Sequence, residues 1–181
     1  NKRNKVMLRL RPYMRQDAGA VLSWLTDERA FHLWSAGKLQ RFPAAPEELN
    51  AFYDKNADGT LWGFAAFDGE GLAGHVMMRY LDEDRKEIRL GLIVVNGQRR
   101  GKGYGREMVS MAARYAFDFA GAQRVSIAVF TENPAAIRCY EACGFRRTKG
   151  KEPENFSCMG EQWELVELEL KKEKREEKPD V

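Results

Sequence analysis

Leu-Ile-Val-Val-Asn-Gly-Gln-Arg-Arg-Gly-Lys-Gly-Tyr-Gly, residues 92–105, joins a wholly apolar segment to a basic segment rich in glycine. The four apolar residues end a predicted strand, and an end without polar side chains predicts burial on both faces at the centre of a sheet. A long helical pattern follows. Glycines between a strand and a helix let the backbone approach a ligand, and the helix N-terminus favours negative charge. The segment therefore predicts a polyanion site, most simply for a pyrophosphate, although a tight turn with solvated charges gives the same pattern.

Two well-known phosphate loops do not match this segment. A Walker loop needs Gly-x-x-x-x-Gly-Lys-Ser/Thr, but Asn96 stands at its first glycine and Gly103 at its hydroxyl residue. A Rossmann loop needs Gly-x-Gly-x-x-Gly, but Arg106 stands at the third glycine. The glycines therefore belong to a different kind of loop.

The segments on either side predict a mixed sheet with helices. The order is one strand, two helices, three hairpin-linked strands, a helix, a strand, a helix and two strands. The unit around the glycine loop should be parallel and right-handed, and the rest mostly antiparallel. Residues 31–37 are predicted to form a bent connection and 149–161 a loop. The predicted strands are 6–11, 61–67, 72–80, 87–95, 125–130, 145–148 and 163–170, and the helices lie near 16–25, 46–53, 104–119 and 134–143.

Composition and charge narrow the class of protein. The chain has 181 residues, of which 30 are basic and 27 acidic, so its net charge is +3. A general nucleic-acid binder more often carries a larger basic excess clustered on one face. No apolar run approaches the ~20 residues that span a bilayer, and the basic start precedes no apolar core of a signal peptide. Three cysteines, without metal-type spacing, favour a reduced cytoplasmic protein. We expect one domain over 1–170 and a charged tail over 171–181, with no nucleic-acid, membrane or metal partner.

Three motifs in order resemble the GNAT superfamily of acetyl-coenzyme A-dependent N-acetyltransferases. Arg100, Gly103 and Gly105 satisfy its Arg/Gln-x-x-Gly-x-Gly/Ala pattern, and segments 129–136 and 140–145 follow at the family's spacing. The resemblance implies an α/β (α+β) fold with a mixed, mostly antiparallel sheet of six to seven strands, about four flanking helices and a splayed parallel central pair. It also implies acetyl-coenzyme A, an amine acceptor, and a monomer or homodimer.

The resemblance also assigns candidate site residues. The main chain of one strand would pair with the pantetheine and polarise the thioester, the glycine loop would hold the pyrophosphate, and Tyr140 would be the general acid for the departing thiolate. Asn133, seven residues earlier, is a helix N-cap that would also reach the cofactor. The candidate cofactor-binding residues are Ile93, Val94, Val95, Arg100, Gly101, Lys102, Gly103, Tyr104, Gly105, Arg106 and Asn133.

The general base departs from the family's pattern. The position eleven residues before the motif, where many members carry glutamate, is Arg89, and the alternative position on the following strand is Ala128. Glu87, two residues earlier on the same strand face, is the candidate base, although its pattern is more typical of a surface charge, and the amine could instead lose its proton through water. A thiol nucleophile formed by Cys139 or Cys143 with a histidine is a further alternative.

The acceptor and the exact reaction stay open. Trp24, Phe31, His32, Trp34 and the 149–161 loop could line an acceptor site, and Asp27, Glu28, Glu47 and Glu48 could attract an amine. Three alternatives to acetyl transfer remain: transfer of another acyl group from coenzyme A, a non-catalytic coenzyme A-binding module, and a nucleic-acid binder.

Overall fold

The computed structural model describes residues 7–173 and builds them into one sheet with helices on both faces. The elements are β1 (Arg9–Pro12), α1 (Ala18–Ser23), α2 (Glu28–Ser35), α3 (Pro46–Lys55), β2 (Leu61–Asp68), β3 (Gly71–Tyr80), β4 (Glu87–Val95), α4 (Tyr104–Asp118), β5 (Arg124–Phe130), α5 (Pro134–Ala142), β6 (Arg146–Arg147), β7 (Glu154–Cys158) and β8 (Glu161–Lys171).

The strand order confirms the predicted fold class. The strands run β1-β2-β3-β4-β5-β8-β6, and β7 pairs with β8. Only β4 and β5 run parallel among the described strands, and all other pairs are antiparallel. The sheet has eight strands, one more than the upper expectation, and the described chain has five α-helices where about four were expected.

Both additional elements arise in segments that were predicted to be irregular. Residues 31–37 are mostly helical because α2 begins earlier, where the Asp27 side chain caps it by accepting a hydrogen bond from the Ala30 N–H at 2.8 Å.

The predicted loop 149–161 contains β7, whose mostly polar side chains give no strand pattern in the sequence. Met159 and Gly160 both have positive φ (51° and 73°) and form the two-residue turn of a hairpin with β8.

The parallel pair separates halfway along its length. Pairing between β4 and β5 runs from Glu87 opposite Arg124 to Leu90 opposite Ile127, and the described strands do not pair beyond that point. A bulge follows at Leu92, which has φ 47°. The strands therefore diverge toward their carboxyl ends and leave a gap, as the resemblance implied.

The gap changes the expected burial of the apolar strand end. Leu92 is buried, but residues 93–95 are only half-buried because they line the gap. The prediction of burial on both faces was therefore right for Leu92 and wrong for the three residues after it.

Helices cover the two faces separately. On one face α4 and α5 pack on apolar residues of the central strands, with Met108 and Ile88 fully buried. On the other face α1, α2 and α3 pack through Phe31 and Leu49 against Met77. None of the helices within residues 7–173 combines the length and apolarity needed to cross a membrane. The expected domain limit at 170 stays a prediction, since residues 174–181 of the tail and 1–6 at the start lie outside the described residues.

Candidate functional site

Three adjoining cavities cross the sheet where β4 and β5 separate. The loop cavity, about 590 Å³, lies between the glycine loop and α5. The splay cavity, about 310 Å³, lies in the gap itself and shares Val94 and Tyr140 with the loop cavity. The basic cavity, about 320 Å³, lies on the α2 side and shares Trp34 and Leu92 with the splay cavity. A ligand can therefore reach from the glycine loop through the gap to the opposite face.

The glycine loop is shaped to receive an anion. Gly101 and Gly103 both have φ +76°, which L side chains rarely adopt, and no described atom lies within 4 Å of the point that a Cβ would occupy at either residue. Gly103 precedes α4, and no described side chain caps the first N–H groups of that helix. The side chains of Arg100, Lys102 and Arg106 are exposed beside these groups. Free N–H donors and three cations suit a pyrophosphate.

Two residues of this segment anchor the loop through their side chains. The Arg99 Nε donates to an Asp68 carboxylate oxygen at 3.1 Å, and the Tyr104 hydroxyl donates to the same oxygen at 2.9 Å. Burial raises the pKa of Asp68, but hydrogen bonds from the Glu70 N–H and the Tyr104 hydroxyl outweigh it, so the pKa is lowered. The Tyr104 side chain is therefore part of the core.

Tyr140 stands where the loop and splay cavities meet. The side chain is buried, and within the described part of the chain its hydroxyl makes no hydrogen bond. Burial, followed by the neighbouring Cys139 and Cys143, raises the pKa of Tyr140. The phenol therefore stays protonated at neutral pH and can donate a hydrogen bond into the cavities.

The other predicted cofactor residues also surround these cavities. Ile93, Val94 and Val95 line both the loop and splay cavities. Asn133 lines the splay cavity and caps α5, where its side-chain oxygen accepts from the Ala136 N–H at 3.3 Å. Gly105 lets the two helices approach, because a Cβ there would lie 3.3 Å from the Cys139 Sγ.

Glu87 is not brought to this site. It lies at the opposite end of β4, six residues before Ile93, which corresponds to roughly 20 Å of strand. Its carboxylate pairs with Arg124 at 3.0 Å. The base predicted from sequence is therefore a surface ion-pair partner in this structure, and it does not enter the proposal below.

The predicted acceptor walls divide into cavity residues and others. Trp24, Asp27 and Trp34 line the splay cavity. Phe31 is buried in the core. Glu28 lies 3.6 Å from His32, and the Glu48 carboxylate accepts from the Ala45 N–H at 2.6 Å at the start of α3.

No cysteine–histidine pair forms among the described residues. Cys139 and Cys143 lie on or directly after α5, whereas both ring nitrogens of His75 are engaged elsewhere, by Tyr53 and by the Leu92 carbonyl. Within residues 7–173, no group of three or more His, Cys, Asp or Glu side chains is placed to hold a metal ion.

Sequence reasoning missed four residues at or near the cavities. Asp68 lies between the predicted strands 61–67 and 72–80, and nothing in its sequence context marks it as the anchor of a loop 31 residues later. Arg138 on α5 lines the loop cavity, and Lys38 and Arg79 line the basic cavity. Only the tertiary structure brings these cations to the site.

Comparisons with known proteins agree with this geometry. The family model described as the acetyltransferase (GNAT) domain matches residues 7–146. A spermidine N(1)-acetyltransferase of Vibrio cholerae is 28% identical over 101 residues, or 55% of this chain and 58% of that protein. The SPbeta prophage-derived N-acetyltransferase YokL of Bacillus subtilis is 28% identical over 108 residues, or 59% of this chain and 60% of that protein. The chain thus matches less than two thirds of either relative's length.

A solved structure matches over nearly the whole chain. The Vibrio cholerae spermidine N-acetyltransferase in complex with CoA and spermine covers 91% of this chain and 95% of its own, with a TM-score of 0.76 and 23% identity. At that identity the likeness shows the fold.

Proposed function

The chain belongs to the GNAT acetyltransferase family, and from that premise we propose that it transfers the acetyl group of acetyl-coenzyme A directly to a primary amine. The observation that carries the proposal is the gap between β4 and β5, which opens at one end on the glycine loop and at the other on a separate cavity. Two substrates entering from opposite faces would meet beside Tyr140.

The described residues offer groups for the pyrophosphate and the pantetheine of coenzyme A. The N–H groups at the start of α4, with Arg100 and Arg106 of the loop cavity and the exposed Lys102, would hold the pyrophosphate. The β4 edge beyond Leu90 does not pair with β5, so its main chain is free to bind the pantetheine amides like an added strand. When bound, acetyl-coenzyme A supplies a thioester whose carbonyl carbon bonds to the amine nitrogen as the bond to sulfur breaks.

Two groups of the chain would assist this exchange. A β4 main-chain N–H near Val94 would donate to the thioester carbonyl oxygen and stabilise the negative charge that develops there. The Tyr140 hydroxyl would donate to the departing sulfur. A phenol whose pKa is raised by burial lies above a thiol near 8.5, so Tyr140 acts mainly as a hydrogen-bond donor to the thiolate.

The amine must lose a proton before it reacts. A primary amine near pKa 10.4 is neutral in only about one part in a few thousand at pH 7, a cost of roughly 4–5 kcal/mol. Asp27 is the one acidic side chain among the residues lining the splay cavity, and it is exposed to water. The proton of the amine would therefore leave through water, and the negative charge of Asp27 can attract that proton.

Two measurements test the proposal. Calorimetric titration with acetyl-coenzyme A, with pantetheine lacking the nucleotide as control, tests the loop, and we expect micromolar binding that the control loses. Release of free thiol with a panel of amines tests transfer, and the relatives' names make spermidine the first polyamine to include. Binding without thiol release would favour the non-catalytic module. Turnover only with longer acyl-coenzyme A donors would show that the acyl donor is not acetyl-coenzyme A.

A further inference from the structure

Two cations in the basic cavity have no acidic partner among the described residues. Lys38, which follows α2, forms no ion pair with any of them, and the Nε of Arg79 is buried without a hydrogen-bond acceptor in residues 7–173. Both residues are half-buried, and a cation partly removed from water without a partner is unfavourable. Arg79 also lies directly opposite Arg89 in the β3–β4 register, and like charges at directly opposed positions destabilise a sheet.

The nearby acids are already engaged by other arginines. Glu167 pairs with both Arg89 and Arg124, and Glu169 pairs with Arg124 at 2.6 Å. The other two acids of this cavity, Glu152 and Glu154, are exposed to water, as is Lys151. The inner part of the cavity therefore keeps positive charge that the described protein does not neutralise.

The position of Lys38 relates this charge to the gap. Its Nζ lies 4.0 Å from where a Cβ of Gly91 would be, and Gly91 is the first β4 residue after the pairing with β5 ends. Ile93, which lines the gap, follows two residues later, just after the bulge at Leu92. A group held by Lys38 would thus lie within one small molecule's length of the reacting thioester. Burial, followed by the charges of Arg79 and Arg89, lowers the pKa of Lys38 to about 8, so an anion beside it would be stabilising.

We propose that Lys38 and Arg79 bind a carboxylate of the acceptor, so that the acceptor is an amine with a carboxylate close to its nitrogen, such as an amino acid. A flexible lysine and an arginine that has no acidic partner among the described residues form charge-assisted hydrogen bonds to a carboxylate. The same two cations repel a polyamine, which carries only positive charge. The inference rests on the proposed function, because it names the acceptor of that reaction.

The kinetic test compares amines that differ only in the carboxylate. Amino acids, their amides and spermidine would be assayed with acetyl-coenzyme A by thiol release. We expect kcat/KM for the best amino acid to exceed that for its amide at least ~10-fold. Lys38→Met and Arg79→Met should remove that difference by raising KM for the amino acid while KM for acetyl-coenzyme A stays unchanged. Lys55→Met, an exposed lysine at the end of α3, is the matched control and should behave as wild type.

A binding experiment separates this inference from the reaction itself. The N-acetyl derivative of the best-binding amino acid and the amide of that derivative would be titrated calorimetrically into the wild-type protein and Lys38→Met, each with coenzyme A present. Tighter binding of the carboxylate form in the wild type alone supports the subsite even if no turnover is found. Equal binding of both forms, or a preference for spermidine over every amino acid, overturns it.

Discussion

The Nδ1 atom of His75 lies 2.7 Å from the carbonyl oxygen of Leu92, the residue at which β4 bulges away from β5. A carbonyl only accepts, so Nδ1 carries the proton, and Nε2 accepts from the Tyr53 hydroxyl at 2.8 Å. The Leu92 backbone is held at φ 47°, which is unfavourable for a leucine. The neutral histidine thus stabilises the bulge that opens the gap.

This histidine should make stability depend on pH. Burial lowers the pKa of His75 to about 4, against an ordinary value of 6.5. Below pH 6.5 His75 binds a proton in the unfolded chain but not in the folded chain. The free energy of unfolding therefore falls by about 1.4 kcal/mol per pH unit until about pH 4. In urea unfolding experiments, the free energy of unfolding of His75→Gln should decrease less than that of the wild type between about pH 6.5 and pH 4.5. Parallel decreases in the two proteins would contradict a neutral His75.

The glycine loop and its neighbours could be located from sequence because they depend on local chemistry. Glycines at positive φ, the cap at Asn133 and the apolar strand 92–95 leave direct signals in the order of residues. The separation of β4 from β5 leaves none, because it depends on a bulge at Leu92 held by a residue of the neighbouring strand.

The cations of the basic cavity likewise could not be located from the sequence. Lys38 follows a helix of eight residues, too short to show a clear period, and Arg79 lies in a strand three elements later. Each looks like an ordinary surface charge in the sequence. Glu87 lies away from the cavities for a related reason: strand parity fixes which face a side chain takes, but not how far along the strand the site lies.

The contact of Tyr104 with Asp68 should control the glycine loop. Tyr104→Phe removes the hydroxyl donor and leaves a buried carboxylate with one partner fewer, which costs about 1–3 kcal/mol. We expect a lower Tm and weaker coenzyme A binding. Thermal unfolding and calorimetric titration measure the two effects. Tyr80→Phe, which removes a hydroxyl bonded to the Ala120 carbonyl, is the control and should lower Tm without changing affinity. A Tyr104→Phe protein with unchanged affinity would show that the anchor does not position the loop.

Substituting the second loop glycine should weaken binding through the backbone. Gly103 is held at φ +76°, where an L residue costs about 1–2 kcal/mol, so Gly103→Ala should bind coenzyme A about 10-fold more weakly. Gly97→Ala is the matched control, since a Cβ at that exposed residue meets no described atom within 4 Å and its φ is not positive. Calorimetric titration of both variants checks the difference, and equal affinities would argue against a pyrophosphate at this loop.

The hydroxyl of Tyr140 should matter to turnover and not to binding. Tyr140→Phe keeps the buried ring and removes the donor that faces both the loop and splay cavities, so the departing thiolate loses a hydrogen bond. We expect kcat to fall about 10²-fold, while the Kd for coenzyme A changes little. Tyr115→Phe is the control, because Tyr115 packs on Phe64 with ring centroids 4.9 Å apart and lines none of the three cavities. Steady-state thiol release and calorimetry separate kcat from Kd. Wild-type kcat in Tyr140→Phe would show that Tyr140 is only a core residue. The departing sulfur would then have to take its proton from water.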